Sequence, residues 1–417
     1  MAIPLPWLQL TREKIRLLVA LAGIGFADIL MFMQLGFQEA LYNSAIRLHK
    51  ELEGDIFLIS PQSTAIIAMQ SFSQRHLYQA LGFEGVESVT PIYLDFGLWK
   101  NPDVCGTEYL TQGSLPVANA AETEPTAAEA STDASGATPC QTRGILVIGI
   151  NPQSNVLSIE GVQRNLDRIR LPDVVLFDQA SRGEFGAIAE AYNRNEVVDT
   201  EVSNRRVEVR GLYELGASFG ANGTILTSDL NFLRIFKNRE KGIIDIGMIQ
   251  VEPGVEVEPL TEALEAHLSD DVMVLSKQEF INFEKNYWKT NTAIGFIFTL
   301  GTGMGFVVGI VIVYQVLYTE VADHLAEYAT LKAMGYADRY LLLVVFQEAL
   351  ILAVIGYLPG FGLSLVLYNM TKAATSLPVM MTVARAIAVL ILTIVMCVIS
   401  GAIAVRKLSA ADPADIF

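Results

Sequence analysis

The sequence lacks the short motifs that mark many nucleotide-binding and metal sites. It has no Gly-x-x-x-x-Gly-Lys-Ser/Thr segment, and therefore no P-loop that could bind ATP. Cys-x-x-Cys and His-Glu-x-x-His are also absent, and the four histidines are scattered without the spacing of metal ligands. We therefore expect no catalytic residues, no metal site and no cofactor. If the protein carries out an energy-consuming process, we expect another polypeptide to supply the energy.

Basic residues are the minority, and they are unevenly placed. The chain has 29 Lys and Arg against 45 Asp and Glu, a net charge of −16, and no basic stripe that could neutralise phosphates. This balance argues against a nucleic-acid partner. The basic residues instead cluster beside long apolar stretches. The clusters are Arg12, Lys14 and Arg16, then Lys332 and Arg339, then Arg406 and Lys407.

Four apolar stretches are present, at residues 17–37, 288–318, 340–368 and 383–405. Each is long enough to cross about 30 Å of hydrocarbon as a helix, which takes about 20 residues. In lipid such a stretch must be helical, because no water is present to satisfy exposed backbone groups. The first stretch is longer than the apolar core of a signal peptide, contains Asp28 and is followed by no clear small-x-small cleavage site. We therefore expect a retained membrane anchor.

The distribution of basic residues predicts the orientation of the chain. Residues 1–16, which are cytoplasmic or interfacial, residues 319–339 and the tail 406–417 carry the positive charge and are expected on the inner side. Residues 38–287 and the short loop 369–382 then lie outside, in the periplasm of a diderm bacterium. The predicted fold class is a membrane protein with four transmembrane helices in a 1+3 order and a large α+β periplasmic domain between helices 1 and 2.

The outside domain shows short strand and helix patterns at both of its ends. The expected elements are strands at Asp55–Ser60, Val86–Pro91, Tyr93–Trp99, Asp245–Val251 and Val272–Leu275, and helices at Ser71–Ala80 and Pro259–Leu268. They form two β-α-β units, which suggests a small sheet assembled from the two ends of the domain. The middle, about residues 173–227, contains short strand patterns at Val174–Phe177 and Val207–Leu212 and is predicted to be a second, inserted subdomain.

One tract of low complexity interrupts this domain at residues 115–140. It consists almost wholly of Ala, Thr, Ser, Glu, Asp, Gly and Pro, so we expect it to be a disordered acidic insertion. It is either a tolerated surface insertion or a tether for a partner. Cys105 and Cys140 bracket the tract in a compartment that favours oxidation, and a disulfide between them would stabilise the fold by about 3–4 kcal/mol. The alternative is two unpaired thiols.

Several residues in the apolar stretches need a structural reason. Asp28 lies near the middle of the first stretch, where a charge is unfavourable, so it should face protein or water. It is either a functional group that responds to protons or locks a dimer, or a hydrogen-bonded carboxyl inside the bundle. Glu348 is nearer to the cytoplasmic end of its stretch. Small-xxx-small spacing predicts helix contacts, within one chain or between two, at Gly301, Gly305, Gly309, Gly356 and Gly360.

The segment between the second and third stretches predicts a short amphipathic helix that ends at Gly335. The residues that we expect to contact a partner are Glu320, Glu327, Tyr328, Leu331, Lys332, Ala333, Met334 and Gly335. In Glu327, in Lys332–Gly335 and in the following Gln347-Glu348-Ala349, the chain resembles MacB-like permeases of the type VII ABC superfamily, which includes the LolC/LolE and FtsX families. Its Asp-Pro tail after Arg406 is also similar. Ala329 and Tyr336 depart from the family pattern of Gly and Ala.

The first stretch is similar to that of cyanobacterial DevC-type subunits. The resemblance implies a homodimer whose residues 319–339 form a coupling helix docked on a separate ABC ATPase. It also implies a periplasmic membrane-fusion adaptor, an outer-membrane TolC-like channel, and export of a glycolipid or another envelope lipid. An alternative within the superfamily is an FtsX-like regulator of a cell-wall hydrolase, which transports nothing. A LolC/LolE-like lipoprotein extractor is another alternative. A membrane-anchored periplasmic enzyme is disfavoured, because no catalytic constellation is evident.

Overall fold

The computed structural model describes residues 14–109, 142–323, 334, 338–375 and 377–409. Contacts divide the chain into two compact units. The membrane unit comprises Met1–Leu41 and Trp288–Phe417, and the extramembrane unit comprises Tyr42–Tyr287.

The α-helices of the described residues are, in chain order, α1 Lys14–Ala45, α2 Arg47–Glu51, α3 Arg75–Ala80, α4 Pro102–Tyr109, α5 Glu160–Gln163, α6 Ile188–Asn193, α7 Asp229–Ile235, α8 Val257–His267, α9 Lys277–Asn286, α10 Ala293–Asp323, α11 Asp338–Thr375 and α12 Val383–Ser409. The strands are β1 Ile56–Ile59, β2 Phe72–Ser73, β3 Val86–Lys100, β4 Thr142–Ile150, β5 Val174–Asp178, β6 Val198–Val202, β7 Arg205–Tyr213, β8 Thr224–Ser228, β9 Ile243–Ile244, β10 Ile246–Val251 and β11 Met273–Ser276.

Four helices are long and apolar enough to cross a membrane: α1, α10, α11 and α12. Three of the predicted stretches lie inside these helices. The second begins instead in a π-helical turn, Tyr287–Asn291, that precedes α10. The structure extends the first helix beyond the predicted span, to Ala45. The 1+3 order of membrane helices around an α+β domain, as predicted from the sequence, is confirmed.

The extramembrane unit contains a nine-stranded sheet in the order β11-β1-β10-β3-β4-β8-β5-β7-β6. At one end, which we call the terminal end, strands from the start and finish of the domain alternate. Strand β10 pairs antiparallel with β1 and with β3, and β1 pairs antiparallel with β11. The units β1-α3-β3 and β10-α8-β11 are therefore interleaved as two split β-α-β motifs. This agrees with a sheet assembled from the two ends of the domain.

The other end of the sheet, which we call the inserted end, consists of β5, β6, β7 and β8. Strand β4 joins it by pairing antiparallel with β3 and parallel with β8. The strands predicted for an inserted subdomain thus continue the same sheet. The subdomain boundary itself stays a prediction.

Both faces of the sheet are covered by apolar side chains. One face packs against α3, α7 and α8 through residues such as Leu77, Phe232 and Leu264. The opposite face packs against α2 and α9 through Leu48 and Phe280. Burial on both faces explains why β1, β5 and β8 are fully buried along their length rather than alternating.

Strand β3 differs from the prediction, because it is one strand of 15 residues rather than two. Its first part pairs with β10 up to Ile92, and its second part pairs with β4 from Ile92 onward. Pro91 lies just before this change of partner, where β3 has a single neighbouring strand. A proline without an N–H is tolerated there. The predicted helix Ser71–Ala80 is also shorter, since β2 occupies its first residues.

Candidate functional site

One end of the membrane unit contains the predicted coupling segment, most of which lies outside the described residues. These are Glu327, Tyr328, Leu331, Lys332, Ala333 and Gly335. Of the predicted contact residues, only Glu320 and Met334 are described. Glu320 is buried near the end of α10, whereas Met334 is 63% exposed. The assignment of this segment to a partner interface remains a prediction.

Two buried acidic side chains lie near each other at the same end. Glu348 of α11 is 1% exposed, and its carboxyl group lies beside that of Glu320. Neither carboxyl oxygen of Glu348 has a hydrogen-bond partner in the described part of the chain. Arg16 of α1 forms an ion pair with Asp323 at the end of α10. The ion pair connects α1 to α10, and the two carboxyl groups place α11 beside α10, just before the predicted coupling segment.

Asp28 lies inside the helix bundle and is fully buried. Its Oδ1 accepts a hydrogen bond of 2.5 Å from the Thr393 hydroxyl of α12, while Oδ2 has no partner in the described part of the chain. The carboxyl group thus faces protein and connects α1 to α12. This geometry fits the interpretation of a hydrogen-bonded structural carboxyl.

The five predicted packing glycines all contact other helices of the same chain. A methyl group added at Gly301, Gly305 or Gly309 would meet side chains of α1 or α12 at 3.4 Å or less. One added at Gly356 would meet Ile24, and one at Gly360 would lie 3.1 Å from the backbone of Gly25. The close approach of α10 and α11 to α1 therefore depends on the missing Cβ atoms.

A polar cluster at the opposite end of the helix bundle could not be recognised from the sequence. Arg385 is 6% exposed and donates hydrogen bonds to the Tyr368 hydroxyl at 3.1 Å, to the Met380 carbonyl at 2.8 Å and to the Glu39 carboxylate. The Tyr368 hydroxyl donates in turn to the carbonyl of Phe32. The cluster connects α1, α11 and α12. Its members on α1 lie more than 300 positions from those on α11 and α12, so no local spacing signals it.

The extramembrane unit offers no group of potential metal ligands among its described residues. His49 of α2 is fully buried, with its Nε2 3.7 Å from Oε2 of Glu284 in α9, and its ring lies 4.3 Å from that of Phe280. Burial lowers the pKa of His49 to about 3, so the imidazole is neutral. Glu284 Oε2 also accepts a hydrogen bond from the backbone N–H of Ile66 at 2.8 Å.

A Gly-x-Ser-x-Gly segment is present at residues 216–220, but it does not form a nucleophile elbow. Such an elbow connects a strand to a helix and exposes the serine hydroxyl. Here the segment connects β7 to β8, and the Ser218 hydroxyl accepts hydrogen bonds from the backbone N–H groups of Gly220 and Ala221. The motif therefore closes a loop, and it supplies no catalytic group.

Cys105 is disulfide-bonded, and Cys397 is a free, buried thiol in α12. Cys140 lies outside the described residues, as does the tract 115–140. The pairing of Cys105 with Cys140 and the disorder of the tract therefore stay predictions.

Comparison with known proteins shows that part of the chain is similar to a known family. Residues 295–413 match the FtsX-like permease C-terminal family. The matched region contains α11, α12, nearly all of α10 and the coupling segment. It supports a permease subunit of the ABC class. The comparison with curated proteins gives no match.

Two solved structures resemble part of the chain at low similarity. The periplasmic region of MacB from Actinobacillus actinomycetemcomitans has 13% identity, covers 58% of this chain and 96% of its own, and gives a TM-score of 0.32. The extracellular domain of the noncanonic ABC-type transporter YknZ from Gram-positive bacteria has 11% identity and gives a TM-score of 0.31. The match covers 54% of this chain and 100% of that structure. Both TM-scores are too low to carry an argument about fold or function.

Proposed function

We propose that this protein is the membrane-spanning subunit of an ABC exporter and that a separate ATPase subunit energises it. The observation that carries the proposal is the FtsX-like permease match over residues 295–413, which includes the coupling segment. The absence of a P-loop supports an external source of energy, because the chain has no such site for ATP.

The buried polar contacts of the membrane unit support a mechanical role. Asp28 with Thr393, and Arg385 with Glu39 and Tyr368, connect α1 to α11 and α12 at two depths. A displacement at the coupling segment would then move the helices together rather than one by one. Switching of this kind requires an element with two arrangements whose populations depend on the bound nucleotide.

In the proposed assembly, two copies of the chain bind a dimer of the ATPase through residues 319–339. The extramembrane units lie in the periplasm and drive the substrate through a membrane-fusion adaptor into a TolC-like channel. The resemblance to cyanobacterial DevC-type subunits makes a glycolipid or another envelope lipid the proposed substrate. The FtsX-like regulator and the LolC/LolE-like extractor share the same family match, so the partners must decide between them.

Chemical crosslinking in native membranes, followed by mass spectrometry of the purified complex, tests this proposal. We expect an ABC ATPase, a periplasmic adaptor and an outer-membrane channel. Recovery of the ATPase with a peptidoglycan hydrolase and no adaptor would replace the exporter with a regulator. Recovery of the ATPase with a lipoprotein-binding partner would favour the extractor.

A variant of the coupling segment sharpens the experiment. Replacing Lys332–Met334 with Gly-Ser-Gly should abolish recovery of the ATPase. The same replacement at the exposed turn Ser269–Asp271 of the extramembrane unit is the matched control and should leave recovery unchanged. Equal recovery with both variants would contradict the assignment of residues 319–339 as the coupling segment.

A further inference from the structure

The short helix α2 follows α1 after a single residue, Ile46, and forms contacts with distant parts of the extramembrane unit. Toward α9, the ring of His49 packs on Phe280, and the Lys277 ammonium group donates a hydrogen bond of 2.7 Å to the Leu52 carbonyl just after α2. On another side, the backbone N–H of Ser158 donates to the Glu51 carbonyl at 2.9 Å. A displacement of α2 would therefore also displace α9 and the segment around Ser158.

Helix α2 makes a further long-range contact through Arg47. Its Nη1 donates a hydrogen bond of 2.9 Å to the carbonyl oxygen of Leu215, a residue 168 positions away in the loop that follows β7. The neighbouring Gly216 has a φ of +92°, and a Cβ atom built there would lie only 1.9 Å from Nη1 of Arg47. Glycine at this position thus provides both the backbone conformation and the space that the guanidinium group occupies.

The loop that Arg47 contacts is rigidly attached to the inserted end of the sheet. The fully buried Asp178, at the end of β5, accepts hydrogen bonds from the backbone N–H groups of Leu215 at 3.1 Å and Gly216 at 2.8 Å. It also accepts a hydrogen bond from the hydroxyl of Thr224 at 3.2 Å, at the start of β8. The loop is therefore bound to the ends of three strands of the inserted end: β5, β7 and β8.

From these contacts we infer that Arg47 is a positioning residue that transmits displacement of α2 to the loop after β7, and through that loop to the inserted end of the sheet. The inference rests on the proposed function, because it requires that the membrane unit move the start of the extramembrane unit. A polar cleft of about 610 Å³ lies beside the contact, and Arg47, Glu51 and Leu215 contribute to its lining. This open space leaves room for the loop to move with α2.

The contact differs from an ordinary surface hydrogen bond in two respects. Arg47 is partly buried, and it occupies space that any other residue at position 216 would fill. The loop is held on its other side by a buried carboxyl group with several donors. Force applied at Arg47 is therefore passed to strands rather than absorbed by a flexible loop.

The experiment measures a distance within the extramembrane unit of the full chain, purified with its co-purifying ATPase into lipid nanodiscs. Spin labels are placed at Val197→Cys, which is 73% exposed at the inserted end, and at Glu265→Cys, which is exposed on α8 at the terminal end. The buried Cys397 and the disulfide-bonded Cys105 should not react with the label. The distance is compared without nucleotide and in the ATP-vanadate trapped state.

We expect the unsubstituted chain to show a nucleotide-dependent change of distance that Arg47→Ala abolishes, with ATP hydrolysis and melting temperature retained. Arg47→Lys can still donate to the Leu215 carbonyl and should restore the change in part. Gly216→Ala should abolish it, whereas Gly254→Ala should not. Gly254 has a similar φ of +95° and nothing within 4 Å of an added Cβ, so it controls for backbone strain.

The outcomes separate the two proposals. A full change of distance in Arg47→Ala would overturn the role of Arg47 and leave the proposed function intact. An equal loss of the distance change in Gly216→Ala and Gly254→Ala would also overturn the role of Arg47. Backbone strain, rather than the contact with Arg47, would then explain the effect. No change in the unsubstituted chain in complex with a hydrolysing ATPase would overturn both proposals.

Discussion

The buried polar side chains of the protein are not all stabilised in the same way. In the membrane unit, Asp28 and Arg385 are paired with groups on other helices. In the extramembrane unit, neither ring nitrogen of His49 forms a hydrogen bond within the described part of the chain, and its nearest charged group is the Glu284 carboxylate. His49 is therefore held as a neutral aromatic group between α2 and α9, and its protonation should be incompatible with the folded state.

We predict that this residue makes the protein less stable in acid. Burial lowers the pKa of His49 to about 3 in the folded state, whereas an unfolded histidine titrates near pH 6.5. Between pH 6.5 and about pH 3, His49 is therefore protonated in the unfolded state but neutral in the folded state. The contribution of His49 to the free energy of unfolding is fully present above pH 6.5 and decreases by about 2 kcal/mol between pH 7 and pH 5.

The measurement is the melting temperature of the detergent-solubilised chain and of His49→Leu as a function of pH. The variant should lose less stability on acidification than the original chain, because leucine does not titrate. Titration of other groups is common to both proteins and cancels in the difference. Parallel pH profiles would show that the pKa of His49 is the same in the folded and unfolded states, which contradicts the effect of burial.

The polar clusters show what the sequence could and could not reveal at this scale. Asp28 was identifiable because a carboxyl group in an apolar stretch needs a partner, although the partner Thr393 was not. Arg385, Tyr368 and Glu39 carry no signal of their own, because each is ordinary at the end of a membrane helix. Only the packing of α1 against α11 and α12 brings them together.

At the scale of elements, the contacts of the membrane helices depend on glycines whose partners are now defined. Helix α11 lies close to α1 at Gly360, where an added Cβ would lie 2.8 Å from Cβ of Asp28 and 3.1 Å from the backbone of Gly25. The small-xxx-small spacing predicted a contact surface, but spacing alone cannot tell an internal contact from one between two chains.

We predict that Gly360→Ala lowers the free energy of unfolding by about 1–3 kcal/mol, because the added methyl group forces the two backbones apart. Gly362→Ala is the matched control on the same helix, since nothing lies within 4 Å of a Cβ atom there. It should leave stability unchanged or raise it slightly, as alanine favours helix. Thermal unfolding in detergent measures both variants. Equal effects would mean that helix propensity, rather than packing, decides the outcome at Gly360.

A second element to test is the segment bracketed by Cys105 and Cys140. No Lys or Arg lies between residues 101 and 142, so trypsin releases both cysteines in one peptide, 101–143. We predict that this peptide, taken from an unreduced digest, is lighter by two hydrogens than the dithiol form and resists alkylation. After reduction it should accept two alkyl groups. Alkylation of both thiols without reduction would rule out the bridge.

The outline of the extramembrane sheet could be predicted in part from local patterns. Alternation and short apolar runs located β1, β5, β7, β10 and β11, because these depend on neighbouring residues. The joining of β3 into one strand could not be predicted, since Pro91 normally ends a strand and is tolerated here only because β3 changes partner next to it. Strand order likewise depends on contacts between residues far apart in the chain.

At the scale of the whole molecule, the two units differ in the features that suit each to its proposed task. The membrane unit combines an FtsX-like permease match with helices connected by buried polar contacts. The extramembrane unit is built on a nine-stranded sheet whose two ends are both connected to α2, through Arg47 at one end and through α9 at the other. The sequence revealed the 1+3 order, because apolar length is a local property. The contacts of α2 connect segments more than 160 residues apart and required the structure.

The most direct test of the central claim is site-specific photocrosslinking at Leu331 in native membranes. We predict that a photoreactive amino acid at this position forms an adduct with one other protein. Mass spectrometry should identify that protein as one that carries a P-loop. The same amino acid at Val197, which is exposed in the extramembrane unit, should not form this adduct. If the Leu331 adducts contain only lipid or a second copy of this chain, residues 319–339 do not dock on an ATPase, and the account of an ATP-driven permease subunit is contradicted.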